Sequence, residues 1–220
     1  MKARTALQVL LTAAVVGIAA WLVFFSPVLG VRSIEIVGNL TVPTDRIRQQ
    51  AGVASLHPLA TVDLAGVEAR VLGIRQLATA KAERVWPGTL RIEVAEREPV
   101  AALPVGGKAA VVDKTGVVIE IKDVTPPLLP VLVVDRPAAG DPATMAALQV
   151  IQDLPDTLIG RVRQVRATTA EGVSFKLSDG RTVVWGGADR GEEKGRILTT
   201  LLRRRGEVYD VSSPDVVTLR

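Results

Sequence analysis

The stretch VRSIEIVGNLTVPTDRIRQQAGV, residues Val31–Val53, joins a strand, a turn and an amphipathic helix in immediate succession. Apolar and polar residues alternate over Val31–Val37, which predicts a half-buried strand. Gly38–Asn39 is a turn signal, and Thr44 is a plausible N-cap for a helix that closes at Gly52. The stretch therefore predicts the beginning of a small folded domain.

The residues that follow complete this domain. Asp63 is the expected N-cap of a second helix. Two strands come next, Gln76–Val85 and Thr89–Arg97, and Trp86–Gly88 provides the hairpin turn between them. The element order β-α-α-β-β allows two helices to cover one face of a three-stranded sheet around one small core. We assign residues 31–99 to this domain.

An apolar run without charge, Ala6–Phe25, precedes the domain. A helix of about 20 residues covers roughly 30 Å, the hydrocarbon thickness of a bilayer. Trp21, Phe24 and Phe25 stand at the far end of the run, where aromatic rings favour the membrane interface. A cleaved signal peptide has a shorter apolar core and a small-x-small cleavage site, which this run lacks. The sequence therefore predicts a retained transmembrane helix over residues 6–28.

Charge sets the expected orientation of this helix. Lys2 and Arg4 precede it, whereas Arg32 is the only charged residue soon after it. Because positive residues stay on the cytoplasmic side, residues 1–5 are expected in the cytoplasm and the later domains outside, as in a single-pass type II membrane protein. The cytoplasmic tail is too short to hold a domain, and the function is therefore expected outside the membrane.

The second half of the exterior region is richer in strands. Asp113–Gly116 is a hairpin signal, and the proline-rich residues 123–142 predict a loop. Asp141, followed by proline, predicts a helix start, and Asp189 with Glu192 has capping-box spacing for a second helix. The predicted strands are Ala109–Val112, Val117–Ile121, Val162–Thr168, Val173–Leu177, Thr182–Trp185, Glu207–Val211 and Asp215–Leu219.

These elements and the composition define the expected fold class. Apolar residues make up 48% of the chain and charged residues 23%, which is typical of a globular protein with a real core. We expect an α+β protein with a single N-terminal transmembrane helix and a β-α-α-β-β domain. A mixed, β-rich domain with two helices follows over residues 100–220.

Residue content argues against catalysis. The chain has no cysteine, which excludes disulfides and thiolate-based metal sites or nucleophiles. His57, the only histidine, precedes a proline in a linker and is interpreted as a surface loop residue, since a metal site needs several neighbouring ligands. The net charge of +4 is mild, and the run Arg203–Arg205 is interpreted as a solvated helix end. We expect no enzyme activity, cofactor, metal, small-molecule substrate or nucleic-acid partner.

The last predicted strand, DVVTLR at Asp215–Arg220, is the one feature that suggests a binding surface. A strand at the end of a chain is expected at the edge of its sheet, where it offers unpaired N–H and C=O groups to another strand. The alternative is an edge strand that pairs with nothing.

Five stretches together resemble the FtsQ/DivIB family of bacterial cell division proteins, whose first exterior domain is called POTRA. VRSIEIVGN is similar to the first POTRA strand, and RVWPGTLRIEVAEREPVAAL to the POTRA hairpin and domain junction. VVDKTGVVIE is similar to the hairpin that opens the β domain. LSDGRTVVWGGADRGEEKGRILTTLL resembles the strand-Gly-helix segment with its lysine, here Lys194, and VYDVSSPDVVTLR resembles the closing strands.

The resemblance implies a divisome scaffold at the division septum of the cell membrane. Such proteins bind FtsB/DivIC-type and FtsL-type single-span proteins and thereby influence septal peptidoglycan synthesis. In the family, the final strands receive a strand of the FtsB-type partner, and the POTRA domain is implicated in recruitment, here at Val31–Val37 and the first helix. The residues that this implies for partner binding are Tyr209, Ser213, Asp215, Val216, Val217, Thr218 and Leu219.

Two other classes of protein remain open from the sequence. One is another POTRA-bearing, membrane-anchored assembly protein or chaperone that captures polypeptide strands. It would normally carry tandem POTRA domains or a β-barrel, for which this chain has no room. The other is a secreted enzyme with a cleaved signal peptide, which would fractionate as a soluble protein and not with membranes.

Overall fold

The structure, a computed structural model, describes residues 2–25, 29–216 and 218–219. It divides the chain into two compact units, Met1–Arg97 and Glu98–Arg220. Each unit has its own hydrophobic core. Together they give the mixed α+β fold expected from the sequence, with a small helix-and-sheet domain followed by a sheet-rich one.

The N-terminal segment forms a helix, α1, over Lys2–Phe25. Within the part of the chain that the structure describes, no helix combines the length and apolarity that crossing a membrane requires. Trp21 is exposed on α1. The side chains of Phe24 and Phe25 and all of residues 26–28 lie outside the described residues. The transmembrane helix over residues 6–28 therefore stays a prediction.

The rest of the first unit confirms the predicted order β-α-α-β-β. Its three-stranded sheet has the order β1-β3-β2, with β1 parallel and β2 antiparallel to the central β3. A single 3₁₀ turn, Leu59–Thr61, lies between the two helices. The elements are β1 (Ser33–Val37), α2 (Thr44–Ala51), α3 (Leu64–Val71), β2 (Leu77–Val85) and β3 (Thr89–Glu96).

Local capping signals explain two of the helix ends in this unit, the start of α3 and the end of α2. The Asp63 carboxylate accepts a hydrogen bond from the N–H of Gly66 at 3.0 Å, as expected of an N-cap. Gly52 ends α2 with φ 62°, the left-handed conformation that suits glycine. The Thr44 prediction was wrong, because Pro43 occupies the N-cap position and makes no capping bond.

Helices α2 and α3 bury their apolar residues against the sheet. Ile47 of α2 and Val67 of α3 are fully buried, as are Leu90 and Ile92 on the central strand. The first core therefore depends on residues spaced by one helical turn and on alternate residues of β3, which are the periodicities visible in the sequence.

The second unit is built on one nine-stranded sheet with the order β12-β11-β10-β9-β8-β7-β4-β5-β6. Its helix α4 packs on the central strands and buries Leu148 and Ile151. The elements are β4 (Ala101–Val105), β5 (Lys108–Val112), β6 (Val118–Lys122), β7 (Val131–Val134), α4 (Pro142–Asp153), α5 (Asp156–Ile159), β8 (Val162–Ala167), β9 (Val173–Leu177), β10 (Thr182–Gly186), α6 (Gly191–Leu201), β11 (Val208–Asp210) and β12 (Thr218–Leu219).

Several features of this unit differ from the prediction. Its described residues form three helices and not two, because the four-residue α5 was not predicted, and Asp215 and Val216, predicted as the start of the last strand, lie in a turn before β12. The sequence did not indicate strand β4, and β7 lies inside the proline-rich stretch predicted to be a loop. The sequence of β7, VLVV, suits a strand, and parallel pairing on both sides, with β4 and β8, stabilises it within the proline-rich stretch. The Asp189–Glu192 capping box was also wrong, because Arg190 occupies the N-cap of α6 with φ 52° and makes no capping bond.

Candidate functional site at the terminal sheet edge

Strand β12 forms one edge of the nine-stranded sheet. It pairs antiparallel with β11 through Asp210↔Thr218 and Tyr209↔Leu219. Strand β11 runs parallel to β10 on its other side. Among the described residues, no strand pairs with the outer side of β12, so its outward N–H and C=O groups are open to another chain.

Tyr209 supports this edge from within the core. Its side chain is fully buried, and its hydroxyl donates a hydrogen bond to the carbonyl oxygen of Arg204 at 2.8 Å. Its main-chain groups face β10, and on the other side it lies opposite Leu219 of β12. The expectation that Tyr209 contacts a partner is therefore corrected, since neither its side chain nor its backbone is accessible while β12 is in place.

Arg181 holds Tyr209 in position. Its Nη1 donates to the Tyr209 hydroxyl at 3.2 Å and to the carbonyl oxygen of Leu202 at 3.0 Å, and its guanidinium carbon lies 5.5 Å from the centroid of the tyrosine ring. The Arg181 guanidinium also donates to Asp179, which accepts a further hydrogen bond from Arg161. These two arginines, Arg181 above all, hold the pKa of the Asp179 carboxyl well below its usual range.

Arg190 connects the loop before β12 to helix α6. Its Nη1 lies 2.9 Å from Oδ2 of Asp215, and its Nε lies 2.8 Å from Oε2 of Glu193. Hydrogen bonds from Arg190 lower the pKa values of both carboxyls, and the carboxylates, Asp215 first, raise the pKa of Arg190. The charged groups are exposed, so the contact positions the loop and adds little to global stability.

Lys194 lies fully buried at the start of α6. Its ammonium group donates to the carbonyl oxygen of Gly187 at 3.0 Å and to Oδ1 of Asp189 at 3.3 Å. A buried ammonium needs such partners to offset its lost hydration. Lys194 thereby fixes the turn that carries Arg190 toward Asp215.

The other predicted contact residues cluster on the loop and strand at this edge. Ser213, Asp215 and Val216 are exposed, and the N–H of Val216 donates to the carbonyl oxygen of Ser213 at 3.0 Å, which closes a tight turn. Thr218 is exposed on β12. Val217 and the side chain of Leu219 lie outside the described residues. The structure thus brings Ser213, Asp215, Val216 and Thr218 together at the open edge.

A second surface lies on the first unit, where recruitment was expected. Strand β1 is an edge of its sheet, and a shallow groove runs between it and α2. Ile34 and Val53 provide apolar lining, and Arg32 and Arg48 add positive charge. This surface contains most of the predicted stretch Val31–Val37.

The described residues offer little that resembles a catalytic or metal centre. Among them, no group of three or more histidine or acidic side chains is placed to hold a metal ion. His57 is exposed, and its Nε2 lies 3.3 Å from the hydroxyl of Thr61. The terminal edge can instead pair its main chain with an added strand from another polypeptide.

Comparisons with known proteins cover both units. The family model described as POTRA domain, FtsQ-type, matches residues 29–97. The model described as cell division protein FtsQ/DivIB, C-terminal, matches residues 101–220. The two matches meet close to the boundary between the compact units.

Two curated relatives are named cell division protein FtsQ. The protein from Mycolicibacterium smegmatis is 38% identical over 218 residues, an alignment that covers 97% of this chain and 65% of the relative. The protein from Mycobacterium tuberculosis strain H37Rv is 38% identical over 221 residues, covering 100% of this chain and 69% of the relative. The chain thus spans about two thirds of the length of these relatives.

A solved structure also matches part of the chain. It is the major extracytoplasmic domain of the cell division protein DivIB from Geobacillus stearothermophilus, with 20% sequence identity and a TM-score of 0.38. The match covers 50% of this chain and 98% of that structure.

Proposed function

The chain belongs to the FtsQ/DivIB family of cell division proteins, and from this premise we propose that it is a non-enzymatic scaffold of the divisome. It binds an FtsB/DivIC-type protein, and with it an FtsL-type protein, and so helps to assemble and regulate septal peptidoglycan synthesis. The partner adds an extended strand to the outer side of β12.

The observation that carries this proposal is the position of β12 at the end of the sheet order. Main-chain hydrogen bonds to such an edge give affinity, and neighbouring side chains give specificity. Arg181 and Tyr209 brace β11 from the core side, and Arg190 braces the adjoining loop through Asp215. A braced edge loses less conformational freedom on binding, which favours affinity.

The proposal also includes the anchor and the orientation. Residues 6–28 cross the cell membrane with Lys2 and Arg4 on the cytoplasmic side, so both folded units lie outside, at the septum. Partners with a single span are then confined to the same membrane. Confinement raises their effective concentration, so a modest interface is sufficient. The groove beside β1 serves in recruitment of the protein to the division site.

A proline at Leu219 tests the proposal. The N–H of Val211 donates to the carbonyl oxygen of Val184, so alternate residues of β11 bond β10, and Asp210 turns its main chain toward Thr218. Leu219, the next residue of β12, therefore turns its N–H away from β11. We expect Leu219→Pro in the full-length protein, purified in detergent, to weaken binding of the FtsB/DivIC-type partner about tenfold or more, because proline removes this outward N–H. Leu219→Val is the matched control, since it keeps the N–H and suits a strand. Equal affinity of Leu219→Pro and the unmodified protein would overturn docking at β12.

The same assay separates the scaffold from the strand-capturing chaperone. A scaffold binds the FtsB/DivIC-type strand and ignores unrelated unfolded peptides, because specificity comes from the side chains beside the edge. A chaperone binds both with similar affinity. Imaging a fluorescent fusion at mid-cell during septation tests the cellular part of the proposal.

A further inference from the structure

The opposite edge of the nine-stranded sheet is strand β6. It pairs on its inner side with β5, through Ala109↔Lys122, Ala110↔Ile121 and Val111↔Glu120. In the described part of the chain no strand covers its outer side. Because alternate residues of an antiparallel strand turn their N–H and C=O groups away from the neighbour, β6 presents its own free row of main-chain groups.

The side chains of β6 make this edge unusually suited to pairing. Ile121, the fourth of the five residues of β6, is 59% exposed although it is a large aliphatic residue. Val124 and Leu128, in the segment that follows, are 77% and 90% exposed. An edge strand with neighbouring exposed aliphatic residues is a surface that another strand can cover with a gain in burial.

The charged side chains of β6 favour a second copy of β6 as its partner. Glu120 and Lys122 flank Ile121, and their side chains share one face, where Lys122 Nζ lies 2.9 Å from Glu120 Oε1. If two copies of β6 run antiparallel about a two-fold axis at Ile121, Glu120 of each copy stands opposite Lys122 of the other. Opposite charges directly across an antiparallel pair stabilise it, and Ile121 meets its own counterpart at the axis. The strand is therefore complementary to itself.

We propose that β6 is a homodimerisation edge, at which a second copy of this chain pairs antiparallel with Ile121 at the centre. The interface is isologous and closes after two copies. It is also short, so the dimer is weak in dilute solution and is favoured when both copies are held in one membrane.

The dimer leaves the proposed function intact and adds to it. Strands β6 and β12 are the two opposite ends of one sheet order, so pairing at β6 leaves each β12 open. A dimer would therefore present two docking edges for FtsB/DivIC-type strands. The homodimer itself does not depend on that docking, and it can be tested without any partner.

Single cysteines provide a direct test, because the chain has none of its own. We expect Ile121→Cys, in the full-length protein reconstituted in lipid vesicles, to form a disulfide-linked dimer on mild oxidation, since position 121 faces itself across the axis. Lys114→Cys, exposed in the turn before β6, is the control for random collision and should remain monomeric. Equal cross-linking of the two variants, or none for Ile121→Cys, would overturn the proposal.

Charge reversal provides a second test that does not depend on disulfide chemistry. In the Ile121→Cys background, adding Glu120→Lys places lysines opposite each other, and adding Lys122→Glu places glutamates opposite each other. Each variant alone should cross-link at least several-fold less than the parent. A mixture of the two should restore cross-linking, because every pair across the axis is then Glu–Lys. If mixing restores nothing, the antiparallel register at Ile121 is refuted.

Discussion

Glu96 holds the loop before α2, and replacing it should open that loop. Its carboxylate accepts hydrogen bonds from the N–H groups of Leu40, Thr41 and Val42 at 2.7, 2.8 and 2.8 Å. The hydroxyl of Thr41 donates to its second oxygen. Partial burial alone would raise the pKa of Glu96, but these hydrogen bonds outweigh it and lower the pKa to about 2, from an ordinary 4.5.

The size of the effect follows from these contacts. A hydrogen bond to a charged group contributes roughly 1.5–3 kcal/mol, and solvent screening of a half-exposed carboxylate reduces the total. We expect Glu96→Gln, which keeps the shape but loses the charge and one acceptor, to cost about 1–2 kcal/mol of local stability. Amides of the loop should then exchange their hydrogens about tenfold faster, as about 1.4 kcal/mol corresponds to a factor of ten.

The pH dependence has a definite sign. Because the pKa is lower in the folded state, the carboxylate stabilises the fold at pH values above about 4.5, and this contribution is lost as the pH falls toward about 2. Hydrogen exchange measured by mass spectrometry on a peptide covering residues 38–44 reports both effects. Glu93→Gln, an exposed carboxylate on the same strand, is the matched control. Unchanged exchange at residues 40–42 in Glu96→Gln would refute the reasoning.

Two further predictions concern the terminal edge. Tyr209→Phe removes the hydroxyl that is hydrogen-bonded to Arg204 and Arg181. We expect this to lower the free energy of unfolding of the second unit by about 1–2 kcal/mol, measured by urea unfolding. An unchanged unfolding midpoint would contradict the idea that Tyr209 braces β11. Asp215→Asn removes the ion pair with Arg190 and should speed hydrogen exchange over residues 211–216 without lowering the melting temperature. High salt should reduce the difference in exchange rate between this variant and the unmodified protein. A difference that does not change with salt would contradict the role given to the Asp215–Arg190 ion pair.

Local signals predicted the elements that depend on neighbouring residues. The alternation over Val31–Val37, the cap at Asp63 and the left-handed end at Gly52 are each formed within a few residues of the chain, and the structure contains all three. Asp141 likewise caps α4, with its carboxylate accepting from the N–H of Thr144 at 2.8 Å. Such signals need no knowledge of the rest of the fold.

Features that depend on distant residues were not visible in the sequence. Strand β7 is four residues long and is stabilised by pairing with β4 and β8, which are far from it in the chain. Asp189 has the spacing of a cap, but its carboxylate accepts from the buried ammonium of Lys194. Whether the Asp189 carboxylate caps the helix or binds Lys194 depends on tertiary packing, which residue spacing does not show.

The candidate site also contains residues that the sequence could predict and residues that only the folded structure reveals. Its exposed members, such as Asp215 and Thr218, could be predicted from a terminal strand and from family resemblance. Tyr209 was misassigned because a tyrosine near a predicted edge gives no sign of its burial. Its partner Arg181 lies 28 residues away in sequence, and only the folded sheet brings the two together.

Hydrogen exchange of the full-length protein with and without its FtsB/DivIC-type partner tests strand addition at β12 most directly. We expect the peptide covering residues 214–220 to exchange several-fold more slowly in the complex, while a peptide covering β9 stays unchanged, since β9 is already paired on both sides. A complex that forms while residues 214–220 exchange as fast as in the free protein would show that the partner binds elsewhere.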